Sequence, residues 1–194
     1  LERLQQQINF IQEIEKLKTV TRKNLTLDNK RPENSAEHSW HVAIMAALLS
    51  EYSNNEIDTL KVLKMLLVHD IVEIDSGDTW LYDEKANETK FEKENNCADR
   101  IFKLLPDDQQ IEYKELWLEF ENQETNEAKF AASIDAMQPL LNHRITGGDL
   151  IKDCKISANT VIVKKAHIAD GANVLWKYSQ EVISDCIGRG IFDA

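Results

Sequence analysis

Residues 57–74 carry apolar side chains almost all round a helical projection: Leu60, Val62, Leu63, Met65, Leu66, Leu67, Val68, Ile71, Val72 and Ile74. Inside that run sit His69 and Asp70. A helix apolar on every face belongs in the centre of a bundle rather than on its rim. Ionisable groups buried there are costly unless something compensates them. A bound cation would compensate both at once; the ordinary alternative is a capped His beside a solvated Asp. Neighbouring helical positions point about 100° apart, so both reach one ion only if it lies off the helix near its end. The turn of Asp75, Ser76, Gly77 and Asp78 ends the helix at that place.

The rest of the chain reads as helical too. Only 6 Gly and 3 Pro in 194 residues leave few obligatory breaks, and an aromatic content of 7% with few β-branched runs disfavours a sheet. Leu4, Ile8, Ile11, Ile14 and Leu17 recur at helical spacing over residues 4–17. Residues 19–33 lose the period and read as a loop. Asn34 followed by Glu37 forms a capping box opening a helix that runs to about residue 52. Further helices are predicted near 85–105, 108–121, 126–143, 159–168 and 173–187. With no internal repeat, the reading is an all-α bundle in one domain spanning 1–194, with a core at about 34–144.

The net charge of −11 disfavours nucleic-acid polymers and anionic membranes as partners. It leaves room for a small anion where a metal or a local Arg reverses the sign. Cys97, Cys154 and Cys186 are scattered and odd in number, with no CxxC pair, which suits reduced thiols in a cytoplasmic chain. No apolar stretch reaches the length needed to span a bilayer, and no signal segment opens the sequence.

Other groups join the His69–Asp70 pair. Glu73 follows them at three- and four-residue spacing, on their face of the helix. Asp78, just past Gly77, is placed to turn back toward the same spot. Carboxylates at a helix C-terminus oppose the macrodipole, so a solvated acidic end explains them poorly. His38 lies in the first turn of the helix opened by Asn34. Asp135 stands in the mostly apolar FAASIDAMQPLL, four residues before Pro139, which cannot return a hydrogen bond to the Asp135 carbonyl and is expected to kink the helix there. Two imidazoles and two carboxylates suit a divalent transition metal with positions left for water and substrate, and phosphate-ester hydrolysis is the natural use of such an ion.

The ordered set His38, His69–Asp70, Asp135 resembles the HD-domain superfamily of all-α, metal-dependent phosphohydrolases. The strings RPENSAEHSWHVAIMA, LKMLLVHDIVEIDSGDT, FAASIDAMQPLLNH and DGANVLWKY are similar to bacterial members related to the 5′-deoxynucleotidases. The resemblance implies one divalent metal ion (Mn, Co, Fe, Ni, Zn or Mg) on those four residues. It implies that Glu73 and Asp78 act on the attacking water and the leaving group, and that Arg22 meets the substrate phosphate. Arg suits such a contact in its own right, through bidentate hydrogen bonds. The pattern departs at Lys23, where the deoxynucleotidases carry an aromatic residue associated with rejecting ribose, so the preferred sugar stays open. No His lies between Asp70 and Asp135, which points to one metal rather than two. A homodimer is a further implication, and Trp117 and Phe120 on an outer helix offer either apolar contact surface or core. His41, His143 and His167 read as structural or peripheral.

The expected function is therefore a metal-dependent phosphomonoesterase acting on (deoxy)nucleoside 5′-monophosphates or similar small phosphate esters. The alternatives are a pyrophosphohydrolase of an alarmone or triphosphate, which needs a more basic pocket than one Arg supplies, and a noncatalytic metal- or nucleotide-binding helical module.

Overall fold

The computed structural model describes residues 1–148 and 150–194. Helix α1 (Glu2–Ile14) passes through a short 3-10 turn (Glu15–Thr19) into a small antiparallel hairpin of β1 (Thr21–Leu25) and β2 (Pro32–Asn34). Its register pairs Thr21 with Asn34 and Leu25 with Pro32. Then follow α2 (Ser35–Leu49), α3 (Thr59–Val68), α4 (Glu73–Ser76), α5 (Glu84–Asn87), α6 (Lys90–Phe102), α7 (Asp107–Asn122) and α8 (Asn126–Thr146). The chain closes with α9 (Ala158–Lys165), α10 (Ile168–Gly171) and α11 (Asn173–Gly188). The all-helical reading stands, with the hairpin as an addition: residues 19–33 are not a plain loop. Among the described residues no helix is long and apolar enough to cross a membrane.

Side-chain caps start several of the helices. The Asn34 side chain accepts from the Glu37 amide at 2.9 Å while Glu37 Oε2 accepts from the Asn34 amide at 3.1 Å, so the capping box forms. The side chains of Asp58, Thr125 and Ser157 accept from backbone amides in the first turns of α3, α8 and α9, capping them without the reciprocal bond. Gly147, at φ +81°, supplies the left-handed residue that stops α8.

Tertiary packing overrules the periodicity in three places. The expected apolar stripe over residues 4–17 packs inward only at its end: Ile14 and Leu17 meet the core, Leu4, Ile8 and Ile11 are exposed, and Phe10, off the stripe, is buried. Residues 57–74 are not one helix. After Val68 the backbone tightens, the Ile71 amide bonding Val68 O at 3.1 Å and the Glu73 amide bonding Asp70 O at 3.0 Å, each only three residues back. Nor is this segment apolar-buried all round, since Leu60 and Leu67 are exposed. The central element is instead α8, which packs against α2, α3, α7, α10 and α11 and buries Phe130, Ile134 and Leu140. It continues through Pro139 to Thr146. Trp117 and Phe120 of α7 belong to the core, not to an exposed contact face.

Two buried positions generate measurable expectations. Gly171 closes α10 so tightly on α8 that a Cβ there would collide with the Lys129 carbonyl and Ser133 Oγ. Gly171→Ala is expected to destabilise the fold by about 3 kcal/mol in urea denaturation. His143, buried on α8 with its ring edge-on to Phe192, has its pKa lowered to about 4 by burial and by Lys165. The unfolded chain takes up this proton near the ordinary value of 6.5, the folded chain only near 4. The stability His143 permits is thus whole above 6.5 and falls as the pH drops toward 4. Relative to a His143→Gln variant, the wild type should lose roughly 3 kcal/mol over that window.

Candidate metal centre and active site

Four separate segments deliver the sequence-predicted residues to one place. His38 comes from the first turn of α2, His69 and Asp70 from the tightened turn after α3, Glu73 from α4, and Asp135 from the middle of α8. His38, His69 and Asp135 each offer a ligand atom within 4.8 Å of the others. Asp70 stands beside this triad, Oδ1 3.1 Å from His69 Nε2 and Oδ2 4.0 Å from His38 Nε2. Arg22, carried over the cluster by β1, donates to Asp70 Oδ2 at 2.7 Å and lies 3.5 Å from Asp78 Oδ1.

The hydrogen bonds behind the imidazoles fix their tautomers. His69 Nδ1 lies 2.8 Å from the Leu66 carbonyl, so it carries the proton and donates. The Gln138 amide nitrogen donates to Glu33 Oε1 at 3.0 Å, which turns Gln138 Oε1 toward His38 Nδ1 at 3.2 Å. That nitrogen must then donate as well. In neutral rings both Nε2 atoms present lone pairs to carboxylates: His38 Nε2 is 2.8 Å and His69 Nε2 3.6 Å from Asp135 Oδ1. His69 Nε2 is buried without a hydrogen-bond partner. Lone pair facing lone pair repels unless positive charge stands between. A divalent cation fits, and the donor set of imidazole nitrogen and carboxylate oxygen suits one.

The electrostatics carry the same message. Burial by itself would lower His69, yet Asp70 and Asp135 outweigh it and push its pKa up to about 9. Burial and Arg22 lower His38. Burial would raise Asp135, but the close approach of the His38 and His69 imidazoles holds it well below the usual carboxylate range. Glu73, buried and next to Asp70, has its carboxyl raised well above the ordinary value while Ser35 Oγ donates to it at 2.6 Å. Asp78 is raised by burial too, with Arg22 opposing. The site thus separates carboxylates kept ionised for a cation from carboxyls with raised proton affinity.

These groups open into a cavity of about 160 Å³. Trp80 and Tyr82, edge-to-face at 5.4 Å, line one part of it with Phe120, whose ring lies 4.9 Å from that of His69. Lys23, Lys90 and Lys165 also line it, so the pocket is more basic than the single Arg expected. His143, read as structural, lines it as well. His41 approaches Gln138 at 3.4 Å, behind the ligands rather than among them. Sequence reasoning missed Gln138 and Glu33, although Gln138 lies three residues beyond Asp135 on the same helical face. It also missed Ser35, for which no local signal exists.

Gln138→Leu removes the acceptor for His38 Nδ1 and the donor for Glu33 together. The expected result, read by calorimetric titration with Mn²⁺, is a 10- to 100-fold loss of metal affinity, the usual scale for partners that orient ligating histidines.

The HD-domain family profile matches residues 14–176. Human 5′-deoxynucleotidase HDDC2 is 31% identical over 135 residues, covering 69% of this chain and 65% of that protein, so the chain spans slightly less than two thirds of this relative's length. The Dictyostelium discoideum 5′-deoxynucleotidase HDDC2 is 31% identical over 140 residues, covering 69% of this chain and 74% of that one. A crystal structure from Magnetospirillum magnetotacticum MS-1, titled a predicted metal-dependent phosphohydrolase, superposes with a TM-score of 0.94 at 42% identity. That match covers 100% of this chain and 97% of the other. With His38, His69 and Asp135 from α2, the α3–α4 turn and α8 gathered where they could hold a metal ion, and with the family match spanning residues 14–176, the chain belongs to the HD-domain family.

Proposed function

We propose that this chain is a metal-dependent phosphomonoesterase acting on (deoxy)nucleoside 5′-monophosphates or similar small phosphate esters. In this reading His38, His69, Asp70 and Asp135 hold the metal, Glu73 and Asp78 are catalytic, and Arg22 binds phosphate. The observation that carries it is the convergence, in one cavity, of a cation-ready His/Asp set, two carboxyls with raised proton affinity and a guanidinium. The similarity to enzymes named 5′-deoxynucleotidases supports the substrate class.

The metal, when bound, supplies Lewis acidity and lowers the pKa of coordinated water. The chain's own groups do the rest. Glu73, held by Ser35 and raised by its buried, acidic surroundings, has the proton affinity of a general base toward the attacking water. Asp78, also raised, is suited to protonate the leaving alcohol oxygen. Arg22 offsets the charge on the phosphate, and its bonds to Asp70 and Asp78 keep it aimed into the cavity. Trp80 and Tyr82 give the flat apolar surface that a nucleobase needs.

Hydrolysis of a nucleotide with several phosphates draws on the same pocket, since Lys23, Lys90 and Lys165 add cations that the sequence reading did not foresee. The free acid–base carboxyls argue against a purely binding role. We further propose a single domain and a homodimer. The exposed stripe of Trp40, Ile44 and Leu48 along α2 is apolar surface that a second copy could cover. A cytoplasmic location is proposed from the three unpaired cysteines.

A nucleotide panel assayed with Mn²⁺, Co²⁺ and Mg²⁺ tests the activity. Free phosphate as the product supports the monoesterase, and pyrophosphate or tripolyphosphate the rival. Asp70→Ala should abolish turnover, and Glu73→Gln should lower kcat by about 10²-fold or more while metal binding persists. Equal rates for wild type and Asp70→Ala would remove the catalytic claim.

A further inference from the structure

Lys165 ends α9 and is only 7% exposed, yet it lines the active-site cavity beside His143 and Asp135. Two other pocket cations are engaged: Arg22 pairs with Asp70 and Asp78, and Lys90 lies 3.7 Å from Glu94. Among the described residues the Lys165 ammonium has neither hydrogen bond nor ion pair. A buried, unpaired ammonium is costly, and a Met or Leu would fill the same volume without that penalty. The C-terminal end of α9 favours a cation, but an exposed lysine satisfies a helix end equally well, so the macrodipole does not account for the burial. The charges Lys165 feels are Asp135, which raises its proton affinity, and Arg22, which lowers it; burial dominates and brings the pKa to about 8. Lys165 shares one cavity lining with Asp135 and Arg22, the residues assigned above to the metal and to the phosphate.

We propose, resting on the phosphomonoesterase reading above, that Lys165 binds the substrate phosphate together with Arg22, so that the seat for the reacting group is built from two cations on distant parts of the chain. An ammonium with three donors binds phosphate as a point charge and complements the planar guanidinium, which fixes orientation. The anion that Lys165 lacks within the protein is the one the substrate brings.

The test uses the Mn²⁺-loaded chain and inorganic phosphate as the probe, in calorimetric titrations of wild type, Lys165→Met and Lys165→Arg. Lys165→Met should raise the phosphate Kd at least about tenfold, as loss of a charge-assisted contact does, with Mn²⁺ stoichiometry intact and Tm no lower than wild type. Lys165→Arg should stay within about threefold. Lys165→Gln, read in the same way, replaces the Met variant if that protein does not fold. Steady-state kinetics should then show KM for a monophosphate rising with the phosphate Kd. Phosphate binding unchanged within twofold in a folded Met or Gln variant overturns the inference, as does a wild type that binds no phosphate. If phosphate binding depends on Lys165 but no nucleotide is hydrolysed, the monoesterase reading fails and the Lys165 assignment stands. If nucleotides are hydrolysed with the same KM by wild type and Lys165→Met, the reverse holds.

Discussion

Two imidazole nitrogens whose tautomers are set from behind, by the Leu66 carbonyl and by Gln138, are turned toward the Asp70 and Asp135 carboxylates across a gap of 3 to 4 Å. Neutral, this arrangement repels itself in a buried setting where water cannot screen it. Positive charge between the four groups converts the repulsion into cohesion. The remaining architecture holds that arrangement in place: the capping box aims His38, the turn after Val68 releases His69 and Asp70 from the helical ladder, and α8 brings Asp135 through the core. Elements with little local reason to meet are joined by a centre whose parts make sense only together.

Around that centre the cavity is graded. Carboxylates kept ionised by His38 and His69 lie against carboxyls raised by burial, and cations from β1, α6 and α9 reach the same space. Proton affinity is therefore separated over a few ångströms by surroundings alone, since Asp and Glu side chains are chemically alike. A chain with a net charge of −11 still gathers Arg22, Lys90 and Lys165 at one cavity.

The Gln138 amide links two functions that look separate in sequence. Its oxygen sets the His38 tautomer and its nitrogen holds Glu33, whose second oxygen lies 4.0 Å from Arg22 Nε. One side chain thus touches His38 directly and reaches the neighbourhood of Arg22 through Glu33. Orienting the His38 ring is a reason for a buried Gln at a helical position where Leu would pack as well.

The sequence by itself determined the helical class, the cap at Asn34, and the identities of the groups that converge, His38, His69, Asp70, Glu73, Asp78 and Asp135. Caps are written in residues two or three apart, and ionisable side chains in apolar runs announce that they need compensation. Tertiary structure alone decided that the run at 57–74 breaks after Val68, that α8 rather than that run is the central helix, and that Leu4, Ile8 and Ile11 face solvent while Phe10 is buried. It alone folded 19–33 into the hairpin that carries Arg22, joined Gln138 to Glu33 across more than 100 residues, and brought Lys165 to the same cavity. Those outcomes depend on which surfaces meet after the chain closes on itself, and a pattern with a period of a few residues carries no record of a partner so far away.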